Sequence, residues 1–75
     1  MKLLHIIGQN VKAFRTIRQL TQEELGQKAG LHKAYIGFIE RGERNLSMET
    51  LEIIAGALKV PPHILLQPDV KEWIR

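Results

Sequence analysis

The sequence predicts an all-α fold, a compact bundle of five helices, and three observations predict it. Apolar residues recur three and four positions apart along most of the chain, the period of a buried helix face. No window alternates apolar and polar residues with period two, the pattern of a half-buried strand. Caps and breakers at Thr21, Gly30, Gly42, Ser47 and Pro61-Pro62 cut the chain into pieces of helical length.

The first helix is expected from about Ile6 to Arg18. Ile7, Val11, Phe14 and Ile17 make its apolar face, while Gln9, Lys12 and Gln19 fall elsewhere and should be solvated. Arg15 lies beside Phe14 at the edge of that face, where an arginine can snorkel to water. Leu20 leads into the second helix. Thr21 caps it, Glu23 and Glu24 suit the positive end of its dipole, and Thr21 with Glu24 matches a capping box. Leu25 and Ala29 share one face, and Gly30 ends the helix in a left-handed turn. His32 begins the third helix. Ile36 and Ile39 should point inward and Lys33, Ala34, Gly37 and Phe38 outward, with Gly42 closing it.

After the loop Glu43-Arg44-Asn45-Leu46, Ser47 caps a fourth helix from Met48 to about Leu58, with Leu51, Ile54, Ala55 and Leu58 inward. Val60-Pro61-Pro62 stops it, and the prolines suit the first turn of a short fifth helix carrying Ile64, Leu65 and Leu66. Pro68 and Asp69 break the chain again. In the tail, residues 67–75, Val70, Trp73 and Ile74 have helical spacing, which fits one more turn on the core or a surface for a partner.

Seventy-five residues, 1–75, make one domain, and 44% hydrophobic content supports one modest core. There is no cysteine, so disulfides and thiolate metal sites are excluded; this fits a reducing cytosol, and a cytoplasmic location is expected. The net charge is +3, unevenly spread. Residues 1–44 hold eight Lys/Arg and four Asp/Glu, whereas residues 45–75 hold three and four. A basic half implies an anionic partner. No apolar run reaches the roughly 18 residues that cross a membrane, and the start, MKLLHIIGQN, does not have the pattern of a signal peptide. His5, His32 and His63 are scattered, without metal-ligand spacing. No nucleophile–base pair, acidic pair or phosphate-cradling glycine loop is present, so no catalysis, no cofactor, no metal and no small-molecule ligand is expected.

The stretch 21–40 is helix, glycine turn, helix, the unit with which DNA-binding proteins set a second helix in the major groove. Arg15, Thr21-Gln22-Glu23-Glu24-Leu25, Gly30, Tyr35-Ile36, Ile39-Glu40-Arg41-Gly42 and Ala55-Gly56-Ala57-Leu58-Lys59-Val60 together resemble the Cro/C1-type (XRE) helix-turn-helix family, over about residues 7 to 66. Residues 31–37 and 40–47 most resemble the controller proteins of restriction–modification systems.

The resemblance implies a lambda-repressor-like fold and a sequence-specific regulator, a controller protein or a small phage-type repressor, that binds double-stranded DNA as a homodimer on a palindromic operator. Thr21 and Gln22 then stand at the phosphate-contacting start of the second helix. His32, Lys33, Ala34, Gly37 and Phe38 stand on the recognition helix, Tyr35 at a backbone-touching aromatic, and Arg44 and Asn45 in a loop at the far edge. Phe38 has two readings, a thymine-methyl contact or packing on the loop near Leu46. The resemblance makes Arg15 and Glu40 a partly buried ion pair. Ile64, Leu65, Leu66 and Trp73 are expected in the dimer interface, because they offer more apolar surface than one small core covers.

The sequence departs from the family at Gly26, where alanine is usual, at Gln19, where glycine is common, and at His32-Lys33, where an acid and arginine are frequent in controller proteins. Lysine lacks the guanidinium fork that reads guanine bidentately. The rival expectation is an antitoxin or protein-interaction module on the same fold.

Overall fold

The structure, a computed structural model, describes residues 2–74; Met1 and Arg75, the last residue of the expected tail, lie outside the described residues. Five α-helices and one 3-10 helix follow in order: α1 Lys2–Ile17, α2 Gln22–Ala29, α3 Lys33–Glu40, α4 Met48–Leu58, the 3-10 helix Pro62–Leu66, and α5 Lys71–Ile74. No strand occurs among the described residues.

Helix α1 begins about a turn earlier than the expected Ile6. No Ser, Thr, Asp or Asn stands ahead of it to mark a start, and Leu4 extends the stripe of Ile7, Val11 and Phe14. Ile17, expected on that face, lies at the end of the helix and is exposed. The core joins α1 to every later element. Phe14 from α1, Leu25 from α2, Ile36 and Ile39 from α3, Ile54 and Leu58 from α4, and Leu65 from the 3-10 helix belong to one cluster of buried side chains. Burying a side chain of this size contributes about 1.5–3 kcal/mol, so the cluster supplies the main stabilising force of a chain without disulfides.

Two close approaches set the angle of α3. A side chain at Gly8 would strike the carbonyl oxygens of Ile39 and Glu40, the latter at 2.7 Å, so α1 and α3 cross backbone to backbone. A side chain at Gly26 would strike the carbonyl oxygen of Leu31. Glycine there is required by the tight α2–α3 turn, and its low helix propensity is the smaller effect.

The helix ends share one device. Leu20 N–H bonds Arg15 O at 3.0 Å, Glu43 N–H bonds Phe38 O at 2.9 Å and Val60 N–H bonds Ala55 O at 3.0 Å. Each closes its helix around a left-handed residue. At Gly42 that conformation is free of strain, but Gln19 (φ 59°) and Lys59 (φ 61°) adopt it with a side chain. The turn geometry expected of glycine at position 19 is therefore retained by glutamine.

At the other end, Asn10 is buried, and its amide donates to Leu65 O at 2.9 Å and Gln67 O at 2.7 Å. It ties the chain after the 3-10 helix to α1 and satisfies carbonyls that would otherwise be stranded. Ile64 and Leu65 are 1% and 0% exposed. The expectation that they form a dimer interface is corrected: both are core residues of this chain, turned inward by the 3-10 helix. Leu66 is half-buried against the core, and Trp73 is 44% exposed. The tail is one short helix on α1, with Val70 buried and Asp69 Oδ1 accepting from Lys71 N–H at 3.0 Å.

Candidate nucleic-acid interface

Glu40, the last residue of α3, is the fixed point of this surface. Arg15 Nε donates to its Oε2 at 2.6 Å and Arg15 Nη2 to its Oε1 at 3.1 Å. The third nitrogen, Nη1, donates to Leu20 O at 2.7 Å. Gln22 Nε2 also donates to Glu40 Oε1, at 3.1 Å. The two charged side chains are only 14% and 4% exposed. One carboxylate thus joins α1, the start of α2 and the end of α3. A fork-shaped, two-point pair of this kind fixes orientation as well as distance.

Helix α2 starts at a full capping box. Thr21 Oγ1 accepts from Glu24 N–H at 3.0 Å, and Glu24 Oε1 accepts from Thr21 N–H at 2.8 Å. Thr21 therefore acts first as a cap. His32 caps α3, its Nδ1 accepting from Ala34 N–H at 3.0 Å. Lys33 and Ala34 follow, exposed on the first turn of α3. Tyr35 is half-buried against the core.

Gly37 was expected to face outward, and the structure corrects this. It is buried under two long polar side chains: a Cβ there would lie 3.2 Å from Arg41 Nη1 and 3.6 Å from Gln22 Oε1. A residue with no side chain leaves a trough on the helix, and its neighbours fill it.

Phe38 is half-buried, with Arg41 Cζ over its ring at 5.1 Å and Arg44 Cζ over it at 4.9 Å. Arg41 Nε also meets Glu43 Oε1 at 2.8 Å. Asn45 is exposed beside Arg44, and Leu46 is half-buried against the core, anchoring the loop. Residues 33, 34, 38, 41, 44 and 45 thus belong to one helix and the loop that leaves it. Trp73, by contrast, belongs to α5, which packs on α1.

Sequence reasoning missed three residues here. Arg41 follows Gly37 by four and Phe38 by three, helical-neighbour spacings that were available to find it. Gly8 and Asn10 carried no such signal. Chemically the surface offers cations and amides. Among the described residues no three His, Cys, Asp or Glu side chains converge as a metal site, and no helix is long and apolar enough to cross a membrane.

A family model described as helix-turn-helix matches residues 11–65. The chain is 42% identical over 72 residues to the control protein C.SmaI of Serratia marcescens, covering 95% of this chain and 86% of that protein. Its fold is similar to that of the restriction-modification controller protein C.AhdI from Aeromonas hydrophila, with a TM-score of 0.83 and 37% identity over 87% of this chain and 98% of that one. It is also similar to SinR, the master regulator for biofilm formation, crystallised in complex with DNA, with a TM-score of 0.77 and 39% identity over 81% of this chain and 98% of that one. With α2 and α3 built as a helix-turn-helix and the likeness running the length of the domain, this chain belongs to the Cro/C1-type helix-turn-helix family of DNA-binding transcription regulators, and its relatives there include restriction–modification controller proteins.

Proposed function

We propose that this protein is a sequence-specific transcription regulator of the controller type, which binds double-stranded DNA as a homodimer on a palindromic operator in the cytoplasm. The observation that carries the reading is the exposed side of α3 and its loop, with Lys33 at the start of the helix and Arg41 and Arg44 together at its far end, while Arg15 and Gln22 hold the helix end by Glu40. Lys33 enters the major groove with Ala34 and His32 beside it. Arg44 and Asn45 reach the phosphate backbone at the far edge. Phosphate contacts supply affinity and the few base contacts supply choice of site.

Size supports pairing. The backbone of the described residues extends 28 Å along its longest principal axis, comparable with the roughly 34 Å between successive major-groove sites. One copy covers one half-site. Exposed Trp73, on the last helix, supplies apolar surface for a second copy. The likeness to SinR, whose structure is of a complex with DNA, supports DNA binding by this fold. Selection of bound duplexes from a random pool tests the reading. An enriched inverted repeat with half-sites about one helical turn apart is expected. A pool that stays random after several rounds would overturn it.

A further inference from the structure

Phe38 stands in the last turn of α3 with two guanidinium groups over its ring, at 5.1 Å for Arg41 and 4.9 Å for Arg44. Like charges repel, so gathering both at one ring needs compensation. The ring's negative face supplies part of it, and the Glu43 carboxylate, 2.8 Å from Arg41 Nε, supplies more. Gly37 makes the room: Arg41 Nη1 lies 3.2 Å from where a Cβ would stand, so the side chain runs back over the helix. Leu46, packed against the core, holds the far end of the loop from which Arg44 projects. Both arginines are thus seated before any ligand arrives. A long cationic side chain that is already ordered loses less freedom on binding.

We propose that Phe38 is a positioning residue for DNA binding, whose ring holds Arg41 and Arg44 as a preset pair of phosphate contacts at the C-terminal edge of the recognition helix. The proposal rests on the reading of α3 as the DNA-facing helix and goes beyond it by assigning Arg41 to the contact set and Phe38 to its order. It also decides between the two uses of Phe38. A ring with two guanidinium groups over it is occupied, and a thymine methyl is not its ligand.

The experiment uses the full chain and the duplex selected by the wild type, with affinity followed by fluorescence anisotropy from 50 to 200 mM salt, on the order of the range over which phosphate contacts show. Arg41→Ala and Arg44→Ala, each present in both copies of the bound dimer, should each make the slope of log K against log salt shallower by about 1.8. Phe38→Leu should weaken binding about tenfold at low salt and flatten the slope by roughly 1 to 2, while Phe38→Trp should restore both. In the Arg41→Ala/Arg44→Ala background, adding Phe38→Leu should change binding no further. In the free wild-type protein, NMR should show the side-chain protons of both arginines shifted upfield by the ring, a readout that needs no variant to fold.

An unchanged salt slope in Phe38→Leu, a further loss in the double-alanine background, or unshifted arginine signals would overturn the proposal. So would a loss on replacing thymine by uracil that disappears in Phe38→Leu, since that would make the ring a methyl reader. Failure of the wild type itself to bind duplex DNA would instead sink the functional reading, so the two failures are distinct.

Discussion

Arg15 and Glu40 meet through two parallel contacts, Nε to Oε2 at 2.6 Å and Nη2 to Oε1 at 3.1 Å, twenty-five residues apart in sequence. With 14% and 4% of their side-chain surfaces exposed, neither charge has much water to fall back on. Helix α3 is held by this pair at its C-terminal end as well as by Ile36 and Ile39 along its inner face.

Breaking the pair from one side should strand the other charge. Glu40→Gln and Arg15→Met should each lower stability by about 3–5 kcal/mol, the usual cost for a buried pair, against about 1 kcal/mol or less for a surface one. The double variant should lose less than the sum. Urea denaturation of the four proteins in a double-mutant cycle checks this, and small additive losses would mean that the pair is solvated and contributes little.

Gly8 should tolerate no side chain. Gly8→Ala places a methyl against the carbonyl oxygens of Ile39 and Glu40, which belong to a helix end and cannot yield without moving α3. Overpacking of this kind costs about 1–3 kcal/mol, and affinity for DNA should fall with it. A thermal melt unchanged from wild type would show that the two helices have slack at their crossing.

Gln19 and Lys59 should gain from the opposite change. Both sit at positive φ, 59° and 61°, where a side chain costs about 1–2 kcal/mol relative to glycine. Part of that returns as extra freedom in the unfolded chain. Gln19→Gly and Lys59→Gly should each stabilise the protein by about 0.5–1 kcal/mol. A rise in the urea midpoint with unchanged slope is the expected result; a fall would mean that these side chains make compensating contacts.

These effects mark how much could be read from the chain. Thr21, Gly30, Gly42 and Ser47 announced helix ends because their chemistry is local: a hydroxyl for a free N–H, or an absent Cβ for a left-handed turn. Gln19 and Lys59 occupy the same conformation without the residue that signals it. Gly8 is required by a backbone that meets it only after folding, so no spacing within its own helix reveals it, whereas Gly26 stands out in the sequence where the family has alanine, as a residue that permits close packing in the turn. Asn10 reads as one more polar residue on a helix until Leu65 and Gln67 arrive beside it. Ile64 and Leu65 were misassigned because an apolar run has the same composition whether it faces its own core or a partner. Gly37 was misplaced because a helix wheel does not include the side chains of Gln22 and Arg41 that fold over it.

Lys33 and Arg44 should differ in what their loss does. Lys33 is exposed on the first turn of α3, and Arg44 is exposed in the loop beyond it. Lys33→Ala should relax base preference at one position of each half-site, by less than the roughly 1–3 kcal/mol of a bidentate contact. Arg44→Ala should weaken all duplexes nearly evenly. Binding-site selection on both variants checks this, and matching losses of specificity would refute the division of roles.

On the proposed function, the cationic edge of α3 binds the phosphates of a duplex while its first turn reads bases. Equilibrium titration of the wild type with its selected duplex, at several salt concentrations, tests it most directly. A straight fall of log K against log salt is expected, with a slope of about −0.9 for every phosphate neutralised; with Arg41 and Arg44 contributing from both copies, the slope should be roughly −4 or steeper. An affinity that stays flat across the range would contradict the account.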